Sequence, residues 1–535
     1  MRIFSAFFRT VMASLFVALP FHCHGADKPQ NVVLQYHYLG ATQLAQNPNV
    51  EVAKKVFALT STSRFEDLVL NRLAATLADS LHFGTNGENP ALLRPLLDDL
   101  VTSESVASMG GEAGKPLNYV VAIHLPLDRI DLWQRNLKTA SHATPDELHV
   151  ENFPGWQWNK GADDSFWMVT AGDWVLVGRG EALNAVRTDY LQQIQKAGRP
   201  APSLDFNWFE ADVDWPRLAN WLPLSSFPLK LARTQVAISA ENQSFHMTSQ
   251  VTYDHPIDWH PQPWNVPTNL VKQPLASFST GQNVEAFLKS DDTLSHLCTD
   301  PLSGQFYFWS MTQMPFQSYI AWPAENPTNL MLQLSTQLPA AINPSLKALN
   351  ETELSWDPKQ NQILWMKMNL TLPMMGPVPP RDGDFLIAGL FFQSPGTGPA
   401  PSALWEQFKG RPDLVYYDWE LTGPRILELR LLTQAFPIMQ ALGMDPSGNV
   451  IRDRDTGMRL ATEERWLEAL TGQLGNTVTE VTKTGPSELT VIRNSPLLFS
   501  SFELVLLSHW LSDTPAGPVN KSLLPQPKIS GPGIH

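Results

Sequence analysis

A short strand pattern followed by a turn and an amphipathic helix recurs along this chain of 535 residues. Apolar residues alternate with a period of two in the first part and with a period of about 3.6 in the second. Each unit therefore offers one apolar sheet face and one apolar helix stripe, which must be buried against each other. The strand patterns that open the five units cover residues 117–125, 208–212, 275–279, 385–392 and 414–421.

Two of the turns carry helix-start signals. Asp214 stands before Pro216, which predicts an N-cap followed by proline in the first helical turn, and Ser402 is expected to cap a helix over 404–408. The aromatic side chains on the helical stripes are expected to face the sheets, because buried aromatics are the commoner use of such residues. They are Trp133, Trp221, Phe287, Phe408 and Phe436.

Hairpins are predicted between the units, around the polar turns 172–173, 241–243, 357–361 and 485–486. Strands, helices and hairpins alternate without the regular spacing of βαβ units. The fold class that this order predicts is α+β, with mixed or antiparallel sheets and helices packed on one face.

Stretches rich in Pro and Gly suggest the domain limits. Residues 1–25 are expected to be a signal peptide and 515–535 a disordered tail. Between them we expect α+β units over 26–200, 266–375 and 376–514, with a smaller unit or extension over 201–265.

The N-terminus has the layout of a secretory signal peptide. Arg2 and Arg9 precede an apolar stretch over 11–20, and Gly25 and Ala26 follow. The apolar stretch is about half the length that a membrane-spanning helix needs. We therefore expect cleavage near Gly25 and export to the periplasm or the medium. Acylation of Cys23 is a weaker alternative, because His22 and Pro20 stand where a small residue and Leu are usual.

Charge and cysteine content limit the partners and the covalent chemistry. The formal net charge is −14, so the chain repels nucleic acid and anionic membrane surfaces. Removal of the signal peptide takes away Cys23 and leaves Cys298, so no intramolecular disulfide is expected. We expect no membrane span after signal removal, no cofactor, and a partner that is a protein or small molecule of the envelope.

Motifs of known catalytic centres are not found in the sequence. It has no Gly-x-Ser-x-Gly elbow and no phosphate-binding loop with Lys followed by Ser or Thr. Cys298 has His296 two residues before it, but a lone half-buried thiol explains this better than a nucleophile does. Asp212 and Asp214 form a candidate carboxylate pair, although a helix cap at Asp214 accounts for it more simply. The catalytic residues, if there are any, stay unidentified at this stage.

Two places offer weak candidate metal ligands. Asp453, Asp455 and Glu464 fall on positions one, three and twelve of a calcium loop, but Met458 stands where the loop needs Gly. His255 and His260 lie in a segment with Pro and Trp, where histidines more often are solvated or cap a turn.

Two segments carry a resemblance to other proteins. They are Trp264-Asn-Val-Pro-Thr-Asn-Leu-Val-Lys-Gln-Pro-Leu-Ala-Ser-Phe278 and Leu414-Val-Tyr-Tyr-Asp-Trp-Glu-Leu-Thr-Gly-Pro-Arg425. The chain resembles uncharacterised exported proteins of verrucomicrobial-type bacteria over most of its mature length. The resemblance implies a bacterial envelope setting and brings no catalytic or binding residue with it.

Three functions are compatible with these patterns. The first is a non-catalytic binding or structural protein of the envelope. The second is a hydrolase of envelope or extracellular polysaccharide with an unrecognised carboxylate pair, which export, acidity and the 18 Trp residues would suit. The third is a carrier of an apolar ligand such as a lipid, held between a curved sheet and its helices.

Overall fold

The computed structural model describes residues 31–512, apart from short stretches and single residues that lie outside the description. These are 81–87, 143, 160–164, 205, 220, 222–231, 258–260, 284–303, 313–316, 349–352, 360–361, 368–369, 378–384, 391–397 and 431–453. The expected signal peptide, the expected tail, Phe287, Cys298 and Phe436 fall outside the described residues.

The first half of the described chain carries ten strands and seven helices. The strands are β1 (Val32–Tyr38), β2 (Ser105–Gly110), β3 (Asn118–His124), β4 (Asp146–Val150), β5 (Phe153–Asn159), β6 (Ser165–Ala171), β7 (Trp174–Arg179), β8 (Phe209–Asp214), β9 (Arg233–Glu241) and β10 (Ser244–Thr252). The helices are α1 (Ala41–Gln46), α2 (Glu51–Phe57), α3 (Thr60–Ser80), α4 (Glu88–Thr102), α5 (Leu127–Ser141), α6 (Asn184–Ala197) and α7 (Trp215–Leu218).

The second half continues with further strands and helices. The strands are β11 (Lys272–Gln273), β12 (Leu275–Gly281), β13 (Phe306–Met311), β14 (Ser318–Pro323), β15 (Leu354–Asp357), β16 (Gln362–Lys367), β17 (Leu370–Pro377), β18 (Phe385–Leu390), β19 (Gly398–Pro399), β20 (Leu414–Leu421), β21 (Asn476–Gly485) and β22 (Glu488–Ser495). The helices are α8 (Pro327–Ala348), α9 (Ser402–Glu406), α10 (422–430), α11 (Arg454–Thr471) and α12 (Ser501–Ser512).

All strand pairs of the described residues are antiparallel, which confirms the predicted α+β class. In the first half, β8, β1, β2, β3 and β7 are neighbours in that order, and β4 to β7 form a meander. The hairpin of β9 and β10 joins the sheet through β8. The sheet crosses the domain limit expected near residue 200, since β1 pairs with β8.

The second half repeats this arrangement strand by strand, which the sequence had not indicated. Neighbours β20, β12, β13, β14 and β18 follow the same order, β15 to β18 form the meander, and the hairpin of β21 and β22 joins through β20. The equivalent strands β10 and β22 then pair with each other in antiparallel fashion. Residues 32–252 and 275–495 are therefore two copies of one architecture, related by a pseudo-two-fold axis between β10 and β22.

Helices lie on both faces of the first sheet rather than on one. Val121 and Ile123 of β3 share a buried cluster with Trp133 of α5. Val120 and Ala122 point the other way and share a cluster with residues of α6, among them Leu191. The expected packing on one face does not hold here, because β3 is apolar on both sides and each side needs a cover.

The local predictions are confirmed where the structure describes them. Ala171 pairs with Trp174 across the turn at 172–173, and Glu241 pairs with Ser244 across Asn242 and Gln243, both of which have positive φ. The Asp214 side chain caps α7 by accepting from the Arg217 amide at 3.1 Å. Ser402 is different, because α9 already begins at Ser402 and Pro401 holds the cap position without a side-chain hydrogen bond.

Candidate functional site

Two rows of polar side chains cross one face of the second sheet. Cross-strand register places Asp418 of β20 opposite Ser279 of β12 and Thr479 of β21, and Thr479 opposite Arg493 of β22. Two residues further along, Glu420 lies opposite Ser277 and Thr477. Because alternate residues of a strand share a face, Asp418 and Glu420 point to the same side. Their β20 neighbours Tyr417 and Trp419 point to the other side and join an apolar cluster.

The N-terminus of α12 covers the second of these rows. The Ser501 amide donates to Glu420 Oε1 at 2.6 Å, and the Ser501 hydroxyl donates to Oε2 at 2.5 Å. Ser500 and Glu503 also form a reciprocal cap, in which the Ser500 amide donates to the Glu503 carboxylate and the Glu503 amide donates to the Ser500 hydroxyl. Glu420 thus anchors the start of the helix to the sheet.

Arg493 is the buried centre of the first row, with 2% of its surface exposed. Its two terminal nitrogens donate to the two oxygens of Glu503 at 2.6 and 3.0 Å, and its Nε donates to the Thr479 hydroxyl at 2.9 Å. The Leu498 carbonyl accepts a further bond from Nη1. Such a fork-to-fork pair fixes both side chains, so Arg493 links the sheet to α12.

A second arginine, Arg425, lies in the first turn of α10, directly after β20. Arg425 Nη1 donates to Glu428 Oε2 at 2.6 Å, and the guanidinium lies 5.2 Å from the centre of the Phe308 ring. The start of α10 is close-packed, because a Cβ at Gly423 would stand 2.1 Å from the Thr471 carbonyl oxygen at the end of α11. This position therefore requires glycine.

The rows form the floor of a cavity of about 280 Å³ between β20, α10 and α12. Asp418 and Ser279 are only partly buried, and the Ser279 hydroxyl donates to Asp418 Oδ1. The rim is apolar and consists of Tyr416, Leu429, Leu506 and Phe502, the last being 57% exposed. The cavity thus combines a charged floor with an apolar entrance, which is the usual make-up of a small-molecule site.

Burial changes the acidity of the two floor carboxyls. It raises the pKa of Asp418, although the hydrogen bond from Ser279 and the charge of Arg493 act in the opposite direction. It also raises the pKa of Glu420 to about 7, helped by the nearby charge of Asp418 and opposed by the bonds from Ser501. Two carboxyls that share one strand face in a dry setting therefore hold protons more strongly than they would in water.

The equivalent position of the first half is built differently. The bulges of β1 and β12 align Leu34 with Ser277, so Val213, which lies opposite Leu34, takes the place of Glu420. The neighbouring Asp212 points to the other face of the sheet. Asp212 is paired with Arg233, whose Nη2 and Nε donate to it at 2.7 and 3.1 Å. Gln235 adds a further bond at 3.2 Å. The charge of Asp212 is therefore balanced by an arginine of the same half.

A separate buried cluster lies at the start of β2. His37 Nε2 is 2.8 Å from Glu104 Oε1, and Arg199 donates to the same oxygen at 2.5 Å. Although burial favours the neutral carboxyl, the bonds from His37 and Arg199 lower the pKa of Glu104. This cluster ties β1 and the segment after α6 to the start of β2.

The residues that the sequence suggested for metal binding do not converge. α11 runs without a break from Arg454 to Thr471, so Asp455 and Glu464 lie nine positions, roughly 13 Å, apart on one helix. Asp453 and His260 lie outside the described residues, and His255 is exposed beside Asp254. Among the described residues, no group of three His, Cys, Asp or Glu side chains is arranged to hold a metal ion.

Sequence reasoning missed the site residues Asp418, Glu420, Arg493 and Glu503. Two signals could have indicated them. The stretch 416–421 alternates aromatic or apolar residues with two carboxylates, which is unusual for a strand flanked on both sides. Ser500 and Glu503 also have the spacing of a capping box directly after a strand pattern.

Comparison of the chain with models of known protein families, with characterised proteins and with solved structures gave no match. In the part of the chain that the structure describes, none of the helices has the length and apolar character needed to cross a membrane.

Proposed function

We propose that this is a non-catalytic small-molecule binding protein of the bacterial envelope, and that its ligand occupies the cavity above Asp418. Arg2, Arg9 and the apolar stretch that follows support export. The proposal rests chiefly on one observation, namely that a cavity of about 280 Å³ has a polar floor held in place by internal hydrogen bonds and an exposed apolar rim.

Preorganisation favours binding over chemistry at this site. Arg493 is fully engaged by Glu503 and Thr479, and both oxygens of Glu420 accept bonds from Ser501. A side chain held on all sides neither attacks a substrate nor moves a proton to it with ease, but it fixes the shape of a binding site. The charged floor also disfavours an apolar tail, because burying carboxylates against hydrocarbon is costly.

A cavity-filling substitution tests the proposal. Leu429→Trp on α10 places a larger side chain in the cavity, whereas Leu427→Trp on the same helix points to solvent and serves as the matched control. Ligand-observed NMR with a set of small amines, monosaccharides, carboxylates and fatty acids is run on the wild type and on both variants. We expect at least one probe to bind the wild type and L427W and to fail with L429W. Equal binding to L429W, or no bound probe, would contradict the proposal.

Polysaccharide hydrolysis is the second candidate, and the raised pKa of Glu420 is the observation that favours it. Asp418 and Glu420 are two positions apart on β20, roughly 6 to 7 Å, a separation seen in glycosidase carboxylate pairs. A neutral carboxyl beside an ionised one could act as acid and base. Under this hypothesis the wild-type protein releases reducing sugar from polysaccharide substrates, and Asp418→Asn abolishes the release. If the protein only binds its ligand, the wild type releases no reducing sugar.

A further inference from the structure

We infer that the ligand of this cavity is a small organic cation, an ammonium or guanidinium group on an apolar body, which pairs with Asp418. The inference rests on the proposed binding function and adds the chemical class of the ligand.

Charge balance at the cavity is the first argument. The two arginines of the cavity are each neutralised by a carboxylate, Arg493 by Glu503 and Arg425 by Glu428. Among the described residues, no Lys or Arg nitrogen lies within 4.0 Å of the carboxyl of Asp418 or Glu420. Glu420 is satisfied by Ser501 at the start of α12, where the helix dipole also favours an anion. Asp418 has one hydroxyl partner, Ser279, and keeps part of its surface open to the cavity.

The rim indicates what the rest of the ligand is. Tyr416 and Phe502 line the cavity with aromatic rings, and such rings can attract cations as well as pack against apolar groups. Leu429 and Leu506 extend the apolar surface. A bare inorganic cation would leave this surface without a partner, whereas an amine with an aryl or alkyl body would cover it. The volume of about 280 Å³ is enough for a body of one ring.

Three probes of one shape test the inference. They are 2-phenylethylamine, the neutral 2-phenylethanol and the anionic phenylacetate, each titrated calorimetrically into the wild-type protein at pH 8. We expect the amine to bind at least about tenfold more tightly than the alcohol, because a charge-assisted hydrogen bond contributes that much, and phenylacetate not to bind.

Substitutions then locate the amine. Asp418→Asn, whose amide oxygen can still accept from Ser279, should weaken amine binding about tenfold or more. Asp413→Asn, at an exposed residue just before β20, is the matched control and should bind as the wild type does. Phe502→Ala changes an exposed side chain, so the fold is retained, and should also weaken the amine.

The outcomes separate this inference from the proposed function. If the alcohol or phenylacetate binds as well as the amine, if D418N binds the amine as the wild type does, or if the amine does not bind, the cationic class is wrong. The proposed function still stands in those cases when another probe binds the wild type and is excluded by L429W. It fails when the cavity-filling variant has no effect or when no probe binds the wild type.

Discussion

The guanidinium of Arg493 and the carboxylate of Glu503 form a two-bond pair that joins the last strand of the sheet to the first turn of α12. Both groups are buried, so the pair is shielded from water and from salt. Its neighbours Thr479, Ser500 and the Leu498 carbonyl use most of the remaining hydrogen-bonding capacity. The side chains of the cavity floor are therefore held in place by internal hydrogen bonds. Asp418 belongs to this floor and keeps part of its surface open to the cavity.

Breaking this pair should destabilise the protein strongly. Arg493→Met leaves Glu503 buried without a counter-charge, which typically costs about 3 to 5 kcal/mol of unfolding free energy. Arg493→Met combined with Glu503→Gln should recover much of that loss, because no bare charge is then buried. Lys409→Met removes an exposed pair with Glu406 and should change little. Urea unfolding of the variants measures the differences; a single variant as stable as the wild type would show that the pair is not buried as described.

The raised pKa of Glu420 predicts a particular pH dependence. The folded state holds the proton up to about pH 7 and the unfolded state up to its ordinary 4.5. The stabilisation from this group is therefore complete below pH 4.5 and is lost as the pH rises through 7. Glu420→Gln resembles the protonated form and can keep both contacts with Ser501.

We expect E420Q to be more stable than the wild type at pH 8, by about 1 to 3 kcal/mol, and equal to it near pH 4.5. Melting temperatures across this range measure the difference. The exposed Glu241→Gln serves as the control and should follow the wild-type curve. A constant difference between E420Q and the wild type from pH 4.5 to 8 would contradict the raised pKa.

Trp133 tests the architectural prediction made from the sequence. It is 3% exposed, packs in the first-sheet core and donates its Nε1 hydrogen to Asp99 at 2.8 Å. Trp133→Ala should lower the unfolding free energy by about 3 to 5 kcal/mol, because it leaves a cavity and removes one hydrogen bond to Asp99. Phe206, which is 90% exposed, is the matched aromatic control, and Phe206→Ala should have little effect. Similar melting temperatures for the two variants would refute the core position.

The five aromatic positions that the sequence placed in the core have different outcomes. Trp133 and Phe408 are buried against the sheets, as predicted. Trp221 is partly buried, and its indole donates to the Lys115 carbonyl at 2.7 Å. Phe287 and Phe436 lie outside the described residues. Period-two and period-3.6 patterns were sufficient for these elements because the apolar faces are local in sequence.

The site could not be found in the same way. Asp418 and Arg493 are brought together through β21, which lies between β20 and β22. The order of strands in a sheet depends on which strands pair with each other after the chain has turned back. A local sequence pattern does not indicate that order. The duplication is hidden for a similar reason, because Glu420 and Val213, or Ser277 and Leu34, occupy equivalent positions with different side chains.

The position of a bound amine is the most direct test of the account. A crystal structure of the protein soaked with 2-phenylethylamine at pH 8 should show the ring against Phe502 and Leu506 and the nitrogen within about 3 Å of an Asp418 carboxylate oxygen. The same soak of D418N should leave the cavity without the amine. Amine density found only away from the cavity, or equal density in D418N, would contradict the claim that Asp418 is the ligand-binding carboxylate.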